Sequence, residues 1–371
     1  MEVYKYPQPS RFGTGYGMIN FIPKHMTEEG YEFRTSFQGG SYGAYAENMG
    51  FGLKDGAFDV YAAQSWVSSD GYLDHSRAQQ QSYYLNMGFQ ASENWNLRLL
   101  INYVDAQTLN PVFYPDGLRR TTGAPGAERY DTETSFTTVT LSNQYDSASG
   151  YVKFYYNDTD FHILGEPSGG LSASSSEQSN QLSGVRVRET FNLWEGNEIV
   201  AGFDLDRTRL KNTNNPYVGA TRIWNFPNQT VFSPYAAISQ FFGSEEAFHL
   251  TPSAGLRYCR HNVFDDEASP QAGLVLGYGN TNLNFNYAKG VNYPSPVVLQ
   301  GFLQDKALPA NFITTEIKPE AADHYEVGLT HSWPELATLG LTYFNDKGKD
   351  RTRAYMYGPA PTPSFWAGPA F

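Results

Sequence analysis

The sequence predicts an all-β protein, an antiparallel up-and-down transmembrane β-barrel, and three observations predict it. Polar and apolar residues alternate in segment after segment, as in Asn280–Tyr287, where Asn280, Asn282, Asn284 and Asn286 interleave with Thr281, Leu283, Phe285 and Tyr287. Successive strand side chains point to opposite faces, so such a segment is wet on one side and apolar on the other. Helical periodicity of convincing length is almost absent. The connections also alternate short and long, which sorts tight turns to one end of the sheet and large loops to the other, as in outer-membrane barrels.

Composition agrees. The 371 residues include 27 Tyr, 25 Phe and 6 Trp, yet only 40% are hydrophobic. Aromatic-rich but polar on average fits strands with one face in water. The net charge of −12 leaves no basic patch to displace counterions from phosphates and excludes nucleic acid as a partner. The single cysteine, Cys259, forms no intramolecular disulfide and is read as a buried small residue. No run of about 18 apolar residues forms a transmembrane helix. The opening MEVYKYPQPS lacks a basic start followed by an apolar core, so either the protein is cytoplasmic or these are not its first residues; the barrel pattern favours the second.

Taken in order, the segment RFGTGYGMINFIPK (Arg11–Lys24) comes first, with Gly13, Gly15 and Gly17 before a short apolar strand that stops at Pro23-Lys24. A phosphate-binding turn is excluded there, because no helix and no Lys-Ser/Thr follows. Strands are expected near 31–40, 44–53, 57–67, 81–90, 97–103, 134–144, 151–158, 181–193, 199–206, 230–241, 248–263, 270–278, 280–290, 323–330 and 338–343. Short turns fall at Asp55-Gly56, Ser92–Asn94, Asp146–Ser149, Glu195–Asn197, Gly243–Glu246, Gly279–Thr281 and Pro334-Glu335. Long polar connections are expected at 68–78, 106–130, 160–178, 211–228, 291–319 and 346–363, with 41–43 and 264–268 short where a long loop is due. The asparagines of 280–286 then line a lumen, while Leu283, Phe285 and Tyr287 face lipid. Tyr83-Tyr84, Trp95, Tyr155-Tyr156, Trp194, Phe241-Phe242 and Trp333 are expected in girdles at the two membrane interfaces. A further strand is possible at Ser364–Phe371; its final Phe371 is read as a coincidental match to the C-terminal aromatic of outer-membrane proteins.

Several motifs carry a family resemblance. Glu2-Val3, Pro7-Gln8, Phe12-Gly13-Thr14-Gly15 and Gly17-Met18-Ile19-Asn20 resemble the end of the plug domain of TonB-dependent outer-membrane receptors, with Tyr6 where that family usually has Gly. Gly39–Gly43 (GGSYG) and Ser69–His75 (SDGYLDH) are similar to its early-strand signatures. Ser253–Tyr258 (SAGLRY), Ser269–Ala272 (SPQA), Tyr287–Ser295 (YAKGVNYPS) and Ile317–Leu329 (IKPEAADHYEVGL) are similar to later ones. The resemblance implies a barrel of 22 strands, of which about 15–16 are present here. It makes residues 1–26 the C-terminal end of a plug domain, and 27–371 a transmembrane barrel domain incomplete at its C-terminus.

The resemblance further implies location in the bacterial outer membrane, amid its lipid, and coupling to a TonB-type protein through a segment not present here. It implies high-affinity capture of a scarce nutrient at the extracellular loops, followed by import; a metal chelate such as a ferric siderophore is the favoured ligand. Cobalamin, haem and an oligosaccharide stay open, and the overall acidity suits a cationic or neutral ligand better. In the 106–130 loop, Phe113, Tyr114, Arg119 and Arg120 offer flat apolar contact and anion-pairing forks, and Arg222 and Trp224 in 211–228 do likewise; each of them also fits ordinary loop packing. No enzyme and no resident cofactor is expected. Asp204 and Asp206, on one strand face, have the spacing of a glycosidase-like pair but are read as solvated wall charges. Asp265-Asp266-Glu267 are read as solvated rather than as a cation site, and His249, His261, His324 and His331 lack paired metal-ligand spacing. A passive outer-membrane channel is the alternative function, and a secreted β-enzyme or lectin a third.

Overall fold

The computed structural model describes residues 2–4, 7–73, 76–110, 128–165, 174–215, 221–295, 318–357 and 364–369. Two short strands come first: β1 (Glu2–Tyr4) pairs antiparallel with β2 (Met18–Asn20), Val3 opposite Ile19. The barrel then begins with β3 (Gly30–Gly39), β4 (Tyr45–Asp55), β5 (Phe58–Ser69) and β6 (Ala78–Ser92). It continues through β7 (Trp95–Asn110), β8 (Glu128–Gln144), β9 (Ala148–Gly165), β10 (Ser174–Phe191) and β11 (Asn197–Asn215). After the short β12 (Arg222–Asn225) come β13 (Gln229–Gln240), the two-residue β14 (Phe242–Gly243), β15 (Phe248–His261), β16 (Glu267–Tyr278) and β17 (Thr281–Asn292). β18 (Glu320–Trp333) and β19 (Ala337–Lys349) follow, and β20 (Thr352–Tyr357) pairs only with β21 (Ser364–Pro369).

Fifteen of the described strands have ten or more residues, and consecutive ones pair antiparallel in a meander, with β11 pairing β13 directly. The strand order closes as a barrel and brings β19 round to β3. At that seam the ladder is open, since the registered partners of β19 all lie on β18 and those of β3 all lie on β4. Every residue of β19 is accordingly exposed, as an edge strand must be.

Register fixes the two faces. Tyr31, Leu53, Val60, Met87, Leu99, Val139, Phe154, Val185, Leu205 and Phe232 stand directly opposite one another in a single row across ten strands. One residue along, the row Asp59, Gly88, Arg98, Thr140, Lys153, Arg186, Asp204 and Ser233 is apolar nowhere. A register slip of one residue would exchange these faces, so the pattern specifies the pairing. The apolar row looks outward: Phe154 is 55% exposed and Leu341, on the same outer face, 71%. The polar row looks into the lumen, where Arg98 makes a fork to Asp59 at 2.9 and 3.1 Å and reaches Asn86 at 2.9 Å. In the Asn280–Tyr287 stretch, Asn284 and Asn286 both donate to Glu326 inside, while Phe285 is exposed outside.

All seven predicted short turns sit at one end of the barrel. Gly56 and Gly279 adopt φ of 55° and 53° there, a left-handed conformation that glycine enters without steric cost. At the other end the connections 40–44 and 262–266 are short, as expected.

Three expectations change. β9, β10 and β11 run 18, 18 and 19 residues, well into the stretches read as the loops 160–178 and 211–228. About 10 residues span the bilayer; beyond it both strand faces meet water, so β10 and β11 continue without a regular polar–apolar alternation, while in β9 Phe161 and Ile163 are apolar on the inner face. The strand expected at Ser364–Phe371 exists as β21, but in a separate two-stranded sheet rather than in the barrel. Of the predicted girdle aromatics, Tyr84 and Tyr155 point into the lumen; their neighbours Tyr83 and Tyr156 face outward, as do Trp95, Trp194, Phe242 and Trp333.

Candidate functional site

Residues 7–27 run along the inside of the barrel, and two sets of lumen side chains hold them. Near the long-loop end, Arg257 of β15 donates through Nε to the Pro9 carbonyl at 2.5 Å and through Nη1 to the Asp204 carboxylate at 2.7 Å. Its guanidinium also lies 4.1 Å from the Tyr235 ring centroid, a cation–π contact in a site closed to water. Gln271 of β16 accepts from the Ser10 backbone N–H at 3.2 Å and donates to its hydroxyl at 2.7 Å. The Val291 N–H donates to the Thr14 carbonyl at 2.8 Å. Gly290 beside it lets Tyr16 and Pro7 approach, for a Cβ there would come within 2.7 and 2.9 Å of them.

Near the short-turn end the Lys24 carbonyl accepts from the Tyr84 hydroxyl at 2.6 Å and from Asn86 at 2.9 Å. The Lys24 ammonium lies 4.3 Å from the Tyr61 ring centroid and pairs with Glu32. Lys54 donates to the Thr27 carbonyl at 3.0 Å, just before the chain enters β3. The segment therefore spans the lumen from one end to the other, with backbone carbonyls as its principal points of attachment.

Between the anchors, the Tyr16 hydroxyl is buried without a hydrogen-bond partner, and burial, reinforced by the Glu320 carboxylate, pushes its pKa up to about 12. At the rim of the long-loop end, Asp266 accepts from the Tyr258 hydroxyl at 2.8 Å and the His261 N–H at 3.0 Å, which holds its carboxyl below the usual range.

Several sequence readings are revised here. Asp204 is not a solvated wall charge: it is buried in an ion pair with Arg257. Asp206 has one carboxylate oxygen buried without a partner. Of the acidic run, Asp266 has the bonds just described and Glu267 pairs with Lys289 at 2.8 Å. Cys259 is buried, in van der Waals and weak hydrogen-bond contact with Ser233. Among the described residues no group of three or more His, Cys, Asp or Glu side chains is arranged to hold a metal. The predicted ligand residues Phe113, Tyr114, Arg119 and Arg120 lie outside the described residues; the backbone of Arg222 and Trp224 lies in β12, opposite Asn214 and Asn212.

No residue was read from the sequence as an anchor (Tyr84 was expected in a girdle), yet for the set near the long-loop end a signal was present. Arg257 belongs to SAGLRY, Gln271 to SPQA, and Gly290 and Val291 to YAKGVNYPS. Those motifs carry the family resemblance, and their inward or backbone groups touch the segment, whereas Tyr84, Asn86, Tyr61, Glu32 and Lys54 belong to none of them.

Comparison with known proteins bears on the fold and the family. No curated protein matches the sequence. Among solved structures, the "Copper transporter OprC" matches with a TM-score of 0.74 at 16% identity, over 99% of this chain and 61% of that one. The ferripyoverdine receptor of the outer membrane of Pseudomonas aeruginosa matches with a TM-score of 0.69 at 14% identity, over 98% and 56%. The ferric enterobactin receptor PfeA of Pseudomonas aeruginosa matches at 0.67 and 15%, over 95% and 58%. At such identities the likeness is one of fold, and the chain spans about three-fifths of the length of these proteins. The family described as TonB dependent receptor-like, beta-barrel, matches residues 24–365. The chain belongs to that family, whose members are outer-membrane proteins and not enzymes.

Proposed function

We propose that this chain is the barrel of a receptor-transporter that takes up a large, scarce nutrient across the outer membrane, a metal chelate such as a ferric siderophore, with energy delivered by a TonB-type protein. The observation that carries this reading is the lumen-spanning segment 7–27, held by a few hydrogen bonds and one ion-paired arginine. A barrel obstructed from within passes a large solute only when the obstruction moves, and moving it requires work on those bonds. Residues 1–26 are, on this reading, the end of a plug domain, and 27–371 the barrel. The similar structures, a copper transporter and receptors for ferripyoverdine and ferric enterobactin, support a metal-related cargo. Phe113, Tyr114, Arg119, Arg120, Arg222 and Trp224 are proposed as its contacts at the long-loop end.

The test is accumulation of a radiolabelled ferric chelate by iron-starved cells that carry the full-length protein as their sole receptor. Uptake should cease when the TonB-type protein is deleted, while surface binding persists. Uptake that continues unchanged would make the protein a passive channel.

A further inference from the structure

The connection between β15 and β16 is short at the end where the barrel carries its long loops, and one side chain holds it. His261, the last residue of β15, is buried. Its ring nitrogen Nδ1 accepts from the backbone N–H groups of Val263 and Phe264 at 3.0 and 3.2 Å. A nitrogen that accepts carries no proton, so the neutral ring bears its hydrogen on Nε2. That atom is buried without a hydrogen-bond partner among the described residues. The ring stacks on Tyr293, with centroids 4.5 Å apart and 30° between planes, and tilts against Phe264 at 5.0 Å. The Tyr293 hydroxyl lies 3.3 Å from the carbonyls of both Cys259 and Asp265, so it straddles the same connection.

Protonation of Nδ1 would turn an acceptor into a donor that faces two donors. Both backbone N–H groups then lose their partner together, and a charge appears in a ring closed to water. The surrounding groups offset little of that cost. On the connection itself Asp265 is exposed, and the Asp266 carboxylate is engaged by the Tyr258 hydroxyl and the His261 N–H. On His261's own strand Arg260 is exposed and Cys259 is buried against Ser233. On β13 the opposite residue is the uncharged Val231, with Asp206 of β11 beyond it. On β16 Glu267 is paired with Lys289 of β17. Burial accordingly outweighs the attraction of Asp266 and lowers the His261 pKa to about 4.

Tyr293 follows Val291 by two residues, and the Val291 N–H holds the Thr14 carbonyl of the lumen segment at 2.8 Å. We propose that His261 is an acid-sensitive clasp: neutral, it fastens the 262–266 connection to Tyr293, and protonated, it releases both and with them the hold of Val291 on Thr14. A histidine whose folded-state pKa lies below the ordinary 6.5 contributes its stability fully above that pH, and the contribution is lost as pH falls through about 4. Asp266, held below the usual carboxylate range by its two hydrogen bonds, stays ionised across this window and does not supply the switch. Acid would thus loosen one of the contacts that keep the lumen obstructed, starting from a side chain at the outer rim.

The test is hydrogen exchange at the Val263, Phe264 and Val291 amides of the full-length protein in detergent, followed from neutral pH down to the His261 pKa of about 4, each rate divided by the intrinsic rate at that pH. Wild-type protection at all three amides should fall about tenfold or more over the range. H261N sets an amide oxygen where Nδ1 stood and does not titrate, so its protection should stay constant. H261F keeps a ring against Tyr293 but has no acceptor, and its protection at Val263 and Phe264 should already be low at neutral pH. D206N removes the carboxylate beyond Val231 and should leave the wild-type response in place. Retention of the folded, heat-modifiable form on gels shows that each variant barrel is intact. Wild-type protection that stays constant would overturn the proposal, as would a response in H261N equal to the wild type's, or one abolished by D206N. A fall at Val263 and Phe264 with none at Val291 would overturn the link to Thr14.

Discussion

Arg257 and Asp204 face each other across the lumen side of β15 and β11 at 2.7 Å, both buried, and the arginine's Nε–H holds the Pro9 carbonyl. One ion pair thus both ties the barrel wall together and fastens the segment that obstructs it. A buried pair contributes little net stability compared with apolar replacements, but removing one partner strands a charge.

Asp204→Ala should therefore destabilise the barrel by about 3–5 kcal/mol. Replacing both residues, Arg257→Met with Asp204→Leu, should restore most of that loss while leaving Pro9 without a donor. Urea titration of the heat-modifiable form measures the first effect. Protease cleavage within residues 7–22 measures the second, and a double variant as resistant as the wild type would show that Arg257 does not retain the segment.

The Lys24 carbonyl depends on Tyr84 and Asn86. Tyr84→Phe and Asn86→Ala should each weaken attachment by about 1 kcal/mol, the net worth of an ordinary hydrogen bond. Hydrogen exchange around residues 22–27 should accelerate about fivefold in each variant. Unchanged exchange would mean that the ion pair with Glu32 and the contact with Tyr61 suffice.

Gly290→Val should displace Tyr16 and Pro7, since even a Cβ would intrude at 2.7 and 2.9 Å. The barrel itself should still fold, because its outward face and ladder are untouched. Raised solute leak through the lumen, read as single-channel conductance in planar bilayers, is the expected sign.

The Tyr16 phenol is pushed up to about 12, so its neutral form is the one the folded state favours. That stability is fully present below the ordinary tyrosine pKa of about 10 and is lost as pH rises from there through about 12. The segment should become protease-sensitive over that alkaline window. Tyr16→Phe keeps the ring against Gly290, removes a hydroxyl that has no partner, and should abolish the step.

Leu205→Arg places a charge in the outer apolar row and should cost about 2–4 kcal/mol if the row lies near the bilayer midplane, less toward its edge. The same substitution at Thr140, on the inner row, should be far milder, because water reaches the lumen. Urea midpoints in lipid vesicles compare the two.

Most of the fold was legible because a barrel has a period of two. Leu97, Leu99 and Ile101 against Arg98 and Asn102 can be read from the order of residues alone, and the turn at Asp55-Gly56 from its glycine. What failed did so where period two carries no contrast. The far halves of β10 and β11 are polar on nearly every position of both faces, so little in their residues separates strand from loop, and in β9 the apolar positions Phe161 and Ile163 fall on the inner face instead of the outer one. Tyr84 and Tyr155 resemble their outward neighbours in chemistry, and only register decides which of each pair enters the lumen.

By itself the sequence determined the class of the protein, the two faces of nearly every strand and the end at which the turns lie, since these follow from alternation and local turn chemistry. The tertiary structure alone decided which lumen residues hold the segment 7–27. Arg257, Pro9 and Asp204 are separated by up to 248 residues, and no local rule relates positions so distant. Closing the sheet around the segment desolvates them together, and a buried charge and buried backbone groups must then find one another.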